Sequence, residues 1–147
     1  MASGKGNNNS IGFLEMIFQA TQSADYVGWV RNDTSPATNL YVSLHTANPG
    51  AGGSQNTSEA AYTSYARVAV ARTTGGWSIS GETISNVAAV TFPAATGGSE
   101  TETYVGIGSA SSGAGILWWF GALTSSLAVS NGITPSFAIG ALTITES

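Results

Sequence analysis

The sequence predicts a mainly β protein, an antiparallel β-sandwich of jelly-roll-like or barrel-like form with one N-terminal helix and an extended N-terminal arm. Two observations carry this prediction. From Leu40 onward apolar and polar residues alternate with a period of two, which is typical of strands with one buried face. Glycine-containing turns separate these strands at a spacing of about 8–12 residues, which favours an antiparallel sheet over βαβ units.

The N-terminal segment predicts an arm followed by a helix. Residues 1–9 are rich in Gly, Asn and Ser, and such a segment cannot offset its ordering entropy by burial, so we expect a flexible arm. Apolar residues then recur at helical spacing and predict a helix over about residues 10–21. They cover most of its circumference, so the helix should be buried on more than one side, with Phe13 and Ile17 in the core or in a subunit interface.

The strands are predicted in chain order after a turn-rich segment at residues 21–39. Their predicted positions are residues 40–45, 66–72, 77–80, 83–92, 103–109, 115–123, 126–130, 135–139 and 142–145. A chain of 147 residues fits one domain and can bury a core without disulfides or structural metal. We therefore predict a single domain over residues 10–147.

The composition excludes several classes of function. Only 8% of residues are charged, the formal net charge is −4, and four Lys and Arg residues cannot make the basic patch that nucleic-acid binding requires. The absence of cysteine excludes disulfides and thiolate chemistry. The longest strongly apolar run, residues 114–123, is too short to cross a membrane. So low a charge suits a surface that is covered by neighbouring subunits, since soluble domains carry about 25% charged residues.

Two groups of residues carry side chains that are suited to chemistry. His45 is the only imidazole, with Ser43 nearby but no carboxylate within ten residues, and this favours a surface or strand-edge histidine over a catalytic one. Glu100 and Glu102 would share one face of a strand, where they suit either a cation or general acid-base work, or else a solvated strand start. We predict no catalytic residue, no cofactor, no metal site and no small-molecule substrate.

The densest aromatic feature is Trp118-Trp119-Phe120. On a strand Ile116, Trp118 and Phe120 share one face, while Trp119 takes the other, so both faces need burial. The segment is predicted to be a core strand or a subunit interface. A stacking platform for sugars or bases is the alternative, although the Asn, Asp and Gln residues that usually surround such a platform are absent.

Five blocks of the sequence carry a resemblance to known proteins: residues 40–50 (LYVSLHTANPG), 65–67 (YAR), 85–93 (SNVAAVTFP), 121–124 (GALT) and 140–144 (GALTI). In this order they resemble a family of small tailed-bacteriophage virion proteins, which are tail-fibre-like or related to capsid decoration β-sandwiches. The resemblance covers residues 10–147, departs around residues 97–112, and brings no catalytic residues.

The resemblance implies a capsid decoration, or cement, subunit on the exterior of the virion, made in the host cytoplasm. It would act as a homotrimer that binds the major capsid protein, and its arm, with Lys5, Asn7, Asn8 and Asn9, would order on docking. The alternative is a tail fibre or receptor-binding module. Neither function involves nucleic acid or a membrane.

Overall fold

A computed structural model of the chain describes residues 7–20 and 37–146, and it confirms a mainly antiparallel β fold with one short N-terminal helix. The elements are α1 (Asn7–Phe18), β1 (Asn39–His45), β2 (Val68–Ala71), β3 (Trp77–Ser80), β4 (Thr83–Asn86), β5 (Val90–Thr91), β6 (Ser99–Gly108), β7 (Leu117–Ser130), β8 (Ser136–Phe137) and β9 (Thr143–Thr145).

The strands form three sheets, and the described residues fall into two compact units. The sheets have the strand orders β2-β1-β6-β7, β3-β4-β9 and β5-β8. The first unit contains the described residues up to 38, residues 71–89 and those from 138 onward, and the second contains residues 39–70 and 90–137. Both units combine distant segments of the chain, and the single domain over residues 10–147 stays a prediction.

In the first unit, α1 packs against β3. Phe18 and Trp77 are both fully buried, and their rings meet edge to face with centroids 4.8 Å apart. Gln19 adds a hydrogen bond from Nε2 to the carbonyl oxygen of Trp77, at 3.1 Å. Leu14 and Phe18 are fully buried, whereas Phe13 and Ile17 are half-buried, so the helix is less enclosed than the predicted burial on more than one side.

The helix bounds differ from the predicted residues 10–21. The helix begins at Asn7, so Asn7, Asn8 and Asn9 are helical and do not belong to an extended arm; residues 1–6 lie outside the described residues. Carbonyls of a first helical turn accept N–H groups of the apolar turn that follows, so a turn without apolar residues can still be helical. The helix ends at Phe18, and Ala20 has a left-handed φ of 51°, a conformation that commonly terminates helices.

Arg72 holds the C-terminal end of α1. Its guanidinium donates from Nε to the Ile17 carbonyl at 2.6 Å and from Nη2 to the Met16 carbonyl at 2.7 Å, and Nη1 donates to Ala37. These carbonyls have no helical partner of their own, and the positive charge lies at the negative end of the helix dipole.

We expect Arg72→Met to lower the free energy of unfolding by about 2 kcal/mol and to expose α1 to solvent exchange, because several charge-assisted hydrogen bonds are lost. Hydrogen-deuterium exchange of the α1 amides measures the effect. Arg72→Lys is the matched variant: it keeps the charge without the planar fork and should retain part of the protection. Unchanged α1 protection in Arg72→Met would contradict this role.

In the second unit, the core lies on one face of the β2-β1-β6-β7 sheet. Val42 and Leu44 of β1 stand opposite Ile107 and Val105 of β6, and Trp119 of β7 stands opposite Ile107. Aromatic residues connect this sheet to the β5-β8 ribbon. Tyr65 accepts a hydrogen bond from the Leu44 N–H at 3.1 Å and stacks on Phe92, whose ring contacts that of Phe137. Two β layers joined by an aromatic core are consistent with the predicted sandwich.

Candidate functional site

Ser43 and His45 lie side by side on β1 and are hydrogen-bonded. Ser43 Oγ is 2.9 Å from His45 Nε2, and His45 Nδ1 is 2.9 Å from the Thr57 carbonyl oxygen. Because a carbonyl only accepts, Nδ1 carries the proton and Nε2 is free to accept from the serine hydroxyl. This is the orientation of a nucleophile and its base, with a carbonyl in place of the usual carboxylate.

Burial removes this pair from any substrate. Both side chains are fully buried, and desolvation lowers the pKa of His45, which keeps the ring neutral. Gly106 of β6 lies directly beside them: a Cβ there would stand 2.6 Å from His45 Nε2. The arrangement is a satisfied structural contact in the interior, which corrects the prediction of a surface or strand-edge histidine.

A polar cluster next to His45 fixes the connection between β6 and β7. Arg67 makes a bidentate ion pair with Glu59, with Nε–Oε1 at 2.6 Å and Nη2–Oε2 at 2.7 Å. The same guanidinium donates to the carbonyl oxygens of Ala110 at 2.8 Å and Gly113 at 2.6 Å. One side chain therefore ties the loop between β6 and β7 to the body of the unit.

Gln55 also holds the loop between β6 and β7 in place through hydrogen bonds. Its Oε1 accepts from the Ala110 N–H at 2.8 Å, its Nε2 donates to the Tyr41 carbonyl at 3.2 Å, and its own N–H donates to Gly115. Neither Gln55 nor Glu59 is predicted as a functional position from the sequence. Arg67 did stand in one of the blocks that carry the family resemblance, and it is one of only four cationic residues, which is the signal that could have singled it out.

The loop leads into the most exposed apolar surface in the second unit. Ile116, Trp118 and Phe120 remain 58%, 42% and 38% exposed, while Trp119 is half-buried on the opposite face, where it pairs with the buried Ile107. Leu117 is also half-buried, but it lies beside Gly106, next to Ser43 and His45. We call Ile116, Trp118 and Phe120 the β7 face. The alternation predicted for this segment therefore separates one half-buried side from one that faces solvent.

A β-bulge interrupts β7 at Trp118. Ile107 pairs with Trp119 and Gly108 pairs with Leu117, so that Trp118 is an extra residue with no partner on β6. Bulges re-aim a side chain locally and are common at sheet edges and next to functional sites. Here the bulge brings Leu117 to the side of Gly106, Ser43 and His45, and Trp118 stays exposed between Ile116 and Phe120.

Strand β7 lies at the edge of its sheet. It is the last strand in the order β2-β1-β6-β7, and within residues 7–20 and 37–146 no strand pairs with its second side. Its 14 residues include neither a charged side chain nor proline. Proteins commonly protect such edges with charge, proline or bulges, and here only irregular pairing with β6 serves that purpose.

The carboxyl pair on β6 has an asymmetric environment. Glu100 Oε1 accepts hydrogen bonds from the N–H groups of Ala61 and Tyr62, both at 2.8 Å. Glu102 is fully buried, and neither of its oxygens receives a hydrogen bond from the described N–H or hydroxyl groups. Burial, with hydrogen bonding to Glu100 and its charge, raises the pKa of Glu102 to about 8. At neutral pH Glu102 is a neutral acid, so a solvated strand start does not describe it.

The remaining predicted site residues lie on α1 or outside the described part of the chain. Phe13 and Ile17 are half-buried on the helix, and Asn7, Asn8 and Asn9 form its first turn. Lys5 lies outside the described residues. In residues 7–20 and 37–146 no three His, Asp or Glu side chains gather to hold a metal ion, and α1 is too short to cross a bilayer.

A comparison with protein families decides the class of this chain. Residues 17–145 match the family model described as Podophage GP4 fiber I protein gp80. The chain belongs to this family. It is therefore a bacteriophage structural protein, which confirms the resemblance to tail-fibre-like virion proteins.

Among curated proteins, no sequence matches this member of the fibre family. The family match covers both compact units, from Ile17 in α1 to Thr145 in β9, and it includes the β7 face. Within a structural family, an exposed aromatic face is more informative than a buried Ser-His pair, because a structural protein acts through its surface.

Proposed function

We propose that the protein is a non-catalytic subunit of a phage fibre that binds a neighbouring virion subunit through the β7 face. The observation that carries the proposal is the exposure of Ile116, Trp118 and Phe120 on an uncharged edge strand in a chain of the fibre family. Contiguous apolar side chains at a surface are typical of protein interfaces.

The composition of the β7 face favours association through burial of apolar surface, and not through attraction between charges. The chain carries 8% charged residues, and β7 carries none, so little Coulomb energy is available to attract or to repel a partner. Burial of large aromatic side chains contributes most of the free energy at many interfaces, and tryptophan is enriched among the residues that matter most. Binding should therefore depend weakly on salt.

The attached loop prepares the surface for binding. Arg67 and Gln55 fix the segment before Ile116 through four hydrogen bonds. Arg67 donates to the carbonyl oxygens of Ala110 and Gly113. Gln55 accepts from the Ala110 N–H and donates its own backbone N–H to the Gly115 carbonyl oxygen. A fixed loop loses less conformational entropy on association, so more of the burial energy remains for binding.

Capsid decoration is the second candidate function. A surface with few charges is suited to be covered by neighbours, which favours a cement subunit that binds the major capsid protein as a homotrimer on the capsid exterior. In that case residues 1–9, including Lys5, would contact the shell. The fibre function takes precedence because the family is described as a fibre protein.

The location of the protein on the virion tests the proposal. Gold-labelled antibody, or density assigned to this chain in an image of the whole particle, is expected on a fibre and not on the head. Label distributed over the head surface would replace the fibre function with decoration. Purified virions without the protein would contradict both.

A double variant tests the β7 face itself. Trp118→Ser with Phe120→Ser should reduce incorporation into virions roughly 30- to 150-fold, since burying the exposed parts of both rings contributes roughly 2 to 3 kcal/mol. Quantitative immunoblotting of purified particles measures incorporation. Ile139→Ser is the matched control, because Ile139 is 70% exposed in the other unit and should be dispensable. Equal incorporation of both variants would contradict the use of this face.

A further inference from the structure

We propose that Glu100 and Glu102 share one proton and that this proton holds residues 61–63 against β6, so that its loss releases them. We call residues 61–63 the Tyr62 segment; it lies between β1 and β2 in the chain. The proposal rests on the donors that reach only one of the two carboxyl groups and on the segment that covers the other. It concerns a conformational change within the second unit and does not depend on the function of the β7 face.

Glu100 is the carboxyl group that binds the Tyr62 segment. Its Oε1 accepts hydrogen bonds from the N–H groups of Ala61 and Tyr62, both at 2.8 Å. Two donors occupy both lone pairs of Oε1, so Oε2 is the oxygen that can accept a further hydrogen bond. Such bonds to a carboxylate are roughly twice as strong as bonds between neutral groups, and they hold the segment to the start of β6.

Glu102 is the carboxyl group that carries the proton. It lies on the same strand and is fully buried, and neither of its oxygens receives a bond from an N–H or hydroxyl group of the described residues. An ionised carboxylate there would lack both water and donors, which is very costly. A protonated Glu102 instead donates its O–H to the Glu100 carboxylate. Burial, this hydrogen bond and the charge of Glu100 together raise the pKa of Glu102 to about 8.

The elements around the pair offer an ionised Glu102 no positive charge. Strand β7, which pairs with this part of β6, contains no titratable residue. On β1 the titratable group is His45, and burial lowers its pKa and keeps the ring neutral. Burial raises the pKa of Tyr62 to about 12, so the phenol of the covering segment is neutral as well. Arg67 is paired with Glu59. Loss of the proton therefore leaves two negative charges side by side.

The Tyr62 segment must move before Glu102 can reach water. Tyr62 is 3% exposed, and its phenol interacts with the charges of both carboxyl groups, so the ring lies beside the pair. The backbone is also close, because a Cβ added to Gly98 would stand 3.4 Å from the Tyr62 Cα. Ionisation of Glu102 thus favours a state in which this segment has left β6 and water hydrates the carboxylate.

The opening is confined because both flanks of the segment are fixed. Before it, the Ala60 N–H donates to the Leu44 carbonyl oxygen at 2.9 Å. After it, the Tyr65 hydroxyl donates to Glu59 at 3.0 Å and accepts from the Leu44 N–H at 3.1 Å. Proteins open locally in short units of this kind at a lower free energy than that of global unfolding.

Hydrogen exchange of the full-length protein tests the proposal. The protection factors of the Ala61 and Tyr62 amides should fall by about tenfold or more between pH 5 and pH 8, because the closed state keeps a proton that the open state releases. Above about pH 8 they should level off, since both states have then lost the proton. The Gln55 amide, which donates to the Gly115 carbonyl in the same unit, is the control and should keep its protection.

Two variants distinguish a shared proton from a contact that is only structural. Glu102→Gln keeps a donor toward Glu100 at every pH, so the protection of the Ala61 and Tyr62 amides should no longer depend on pH. In Glu100→Gln the new amide can donate to Glu102 and stabilise its charge, so Glu102 should become a stronger acid by about tenfold or more. The carboxyl carbon resonance of Glu102 measures this acid strength by nuclear magnetic resonance.

The same resonance in the unmodified protein keeps the test decisive if a variant fails to fold. It should titrate near pH 8, and titration near the ordinary value of 4.5 would overturn the inference. Constant protection of the Ala61 and Tyr62 amides from pH 5 to pH 8 would also overturn it, as would an unchanged acid strength of Glu102 in Glu100→Gln. A loss of protection that includes Gln55 to the same extent would contradict a local opening.

Discussion

Replacement of Arg67 by methionine is expected to lower the free energy of unfolding by about 3 to 5 kcal/mol, the range typical of removing one partner of a buried ion pair. The guanidinium is 1% exposed and the Glu59 side chain 16% exposed, so Glu59 would keep a poorly solvated charge without its counter-ion. The carbonyl oxygens of Ala110 and Gly113 would also lose their donor. Urea unfolding followed by tryptophan fluorescence measures the change.

A double variant shows how much of the lost unfolding free energy comes from the unpaired charge of Glu59. Arg67→Met with Glu59→Gln removes both charges and should recover part of the loss, because the unpaired carboxylate is then absent. Hydrogen exchange of residues 109–116 should accelerate in both variants, since the loop loses the same tether in each. If the double variant is no more stable than Arg67→Met, loss of the ion pair is not the cause of the destabilisation.

Replacement of Glu102 by glutamine is expected to remove a pH dependence of stability and to stabilise the protein at alkaline pH by roughly 3 kcal/mol. In the folded protein burial raises the pKa of Glu102 from 4.5 to about 8. Between these values the folded state keeps a proton that the unfolded state releases, so stability falls as the pH rises. Below about pH 4.5 the proton is bound in both states, and the loss is complete above about pH 8.

Glutamine keeps the shape of the protonated acid and has no charge to bury. The difference in unfolding free energy between Glu102→Gln and the unmodified protein should therefore grow from pH 5 to pH 8. This difference isolates Glu102 from His45, whose lowered pKa acts on stability with the opposite sign at acid pH. Glu82→Gln, at the turn between β3 and β4, is the control. Parallel pH profiles for Glu102→Gln and the unmodified protein would contradict a buried neutral acid.

The two carboxyl groups illustrate where sequence reasoning ends. The spacing of Glu100 and Glu102 predicted a shared strand face, and both do lie on β6. Their different fates depend on residues about 40 positions away, because the Ala61 and Tyr62 N–H groups bond to Glu100 and not to Glu102. No local pattern records which of two alternating carboxylates will meet such donors.

The helix shows the same limit at its ends. Hydrophobic spacing predicted its presence and its buried face, since both depend on residues within a few turns of one another. Its C-terminal end is set by Arg72, which is more than 50 residues away in the chain. The polar first turn at Asn7 carries no periodic signal, so composition alone suggested an arm.

By itself, the sequence determined the antiparallel β class, the helix, the alternation of Ile116, Trp118 and Phe120 against Trp119, and the phage family that its blocks resemble. Only the tertiary structure decided which part of a sheet face is covered: Ser43 pairs with Gly106, and Gly106 pairs with Phe120, so all three lie on one face. The segment around Thr57 covers Ser43 and His45, whereas no described segment covers the β7 face. Periodicity specifies which side chains share a face, but burial depends on a distant segment that packs over it, and that long-range contact is absent from any local pattern.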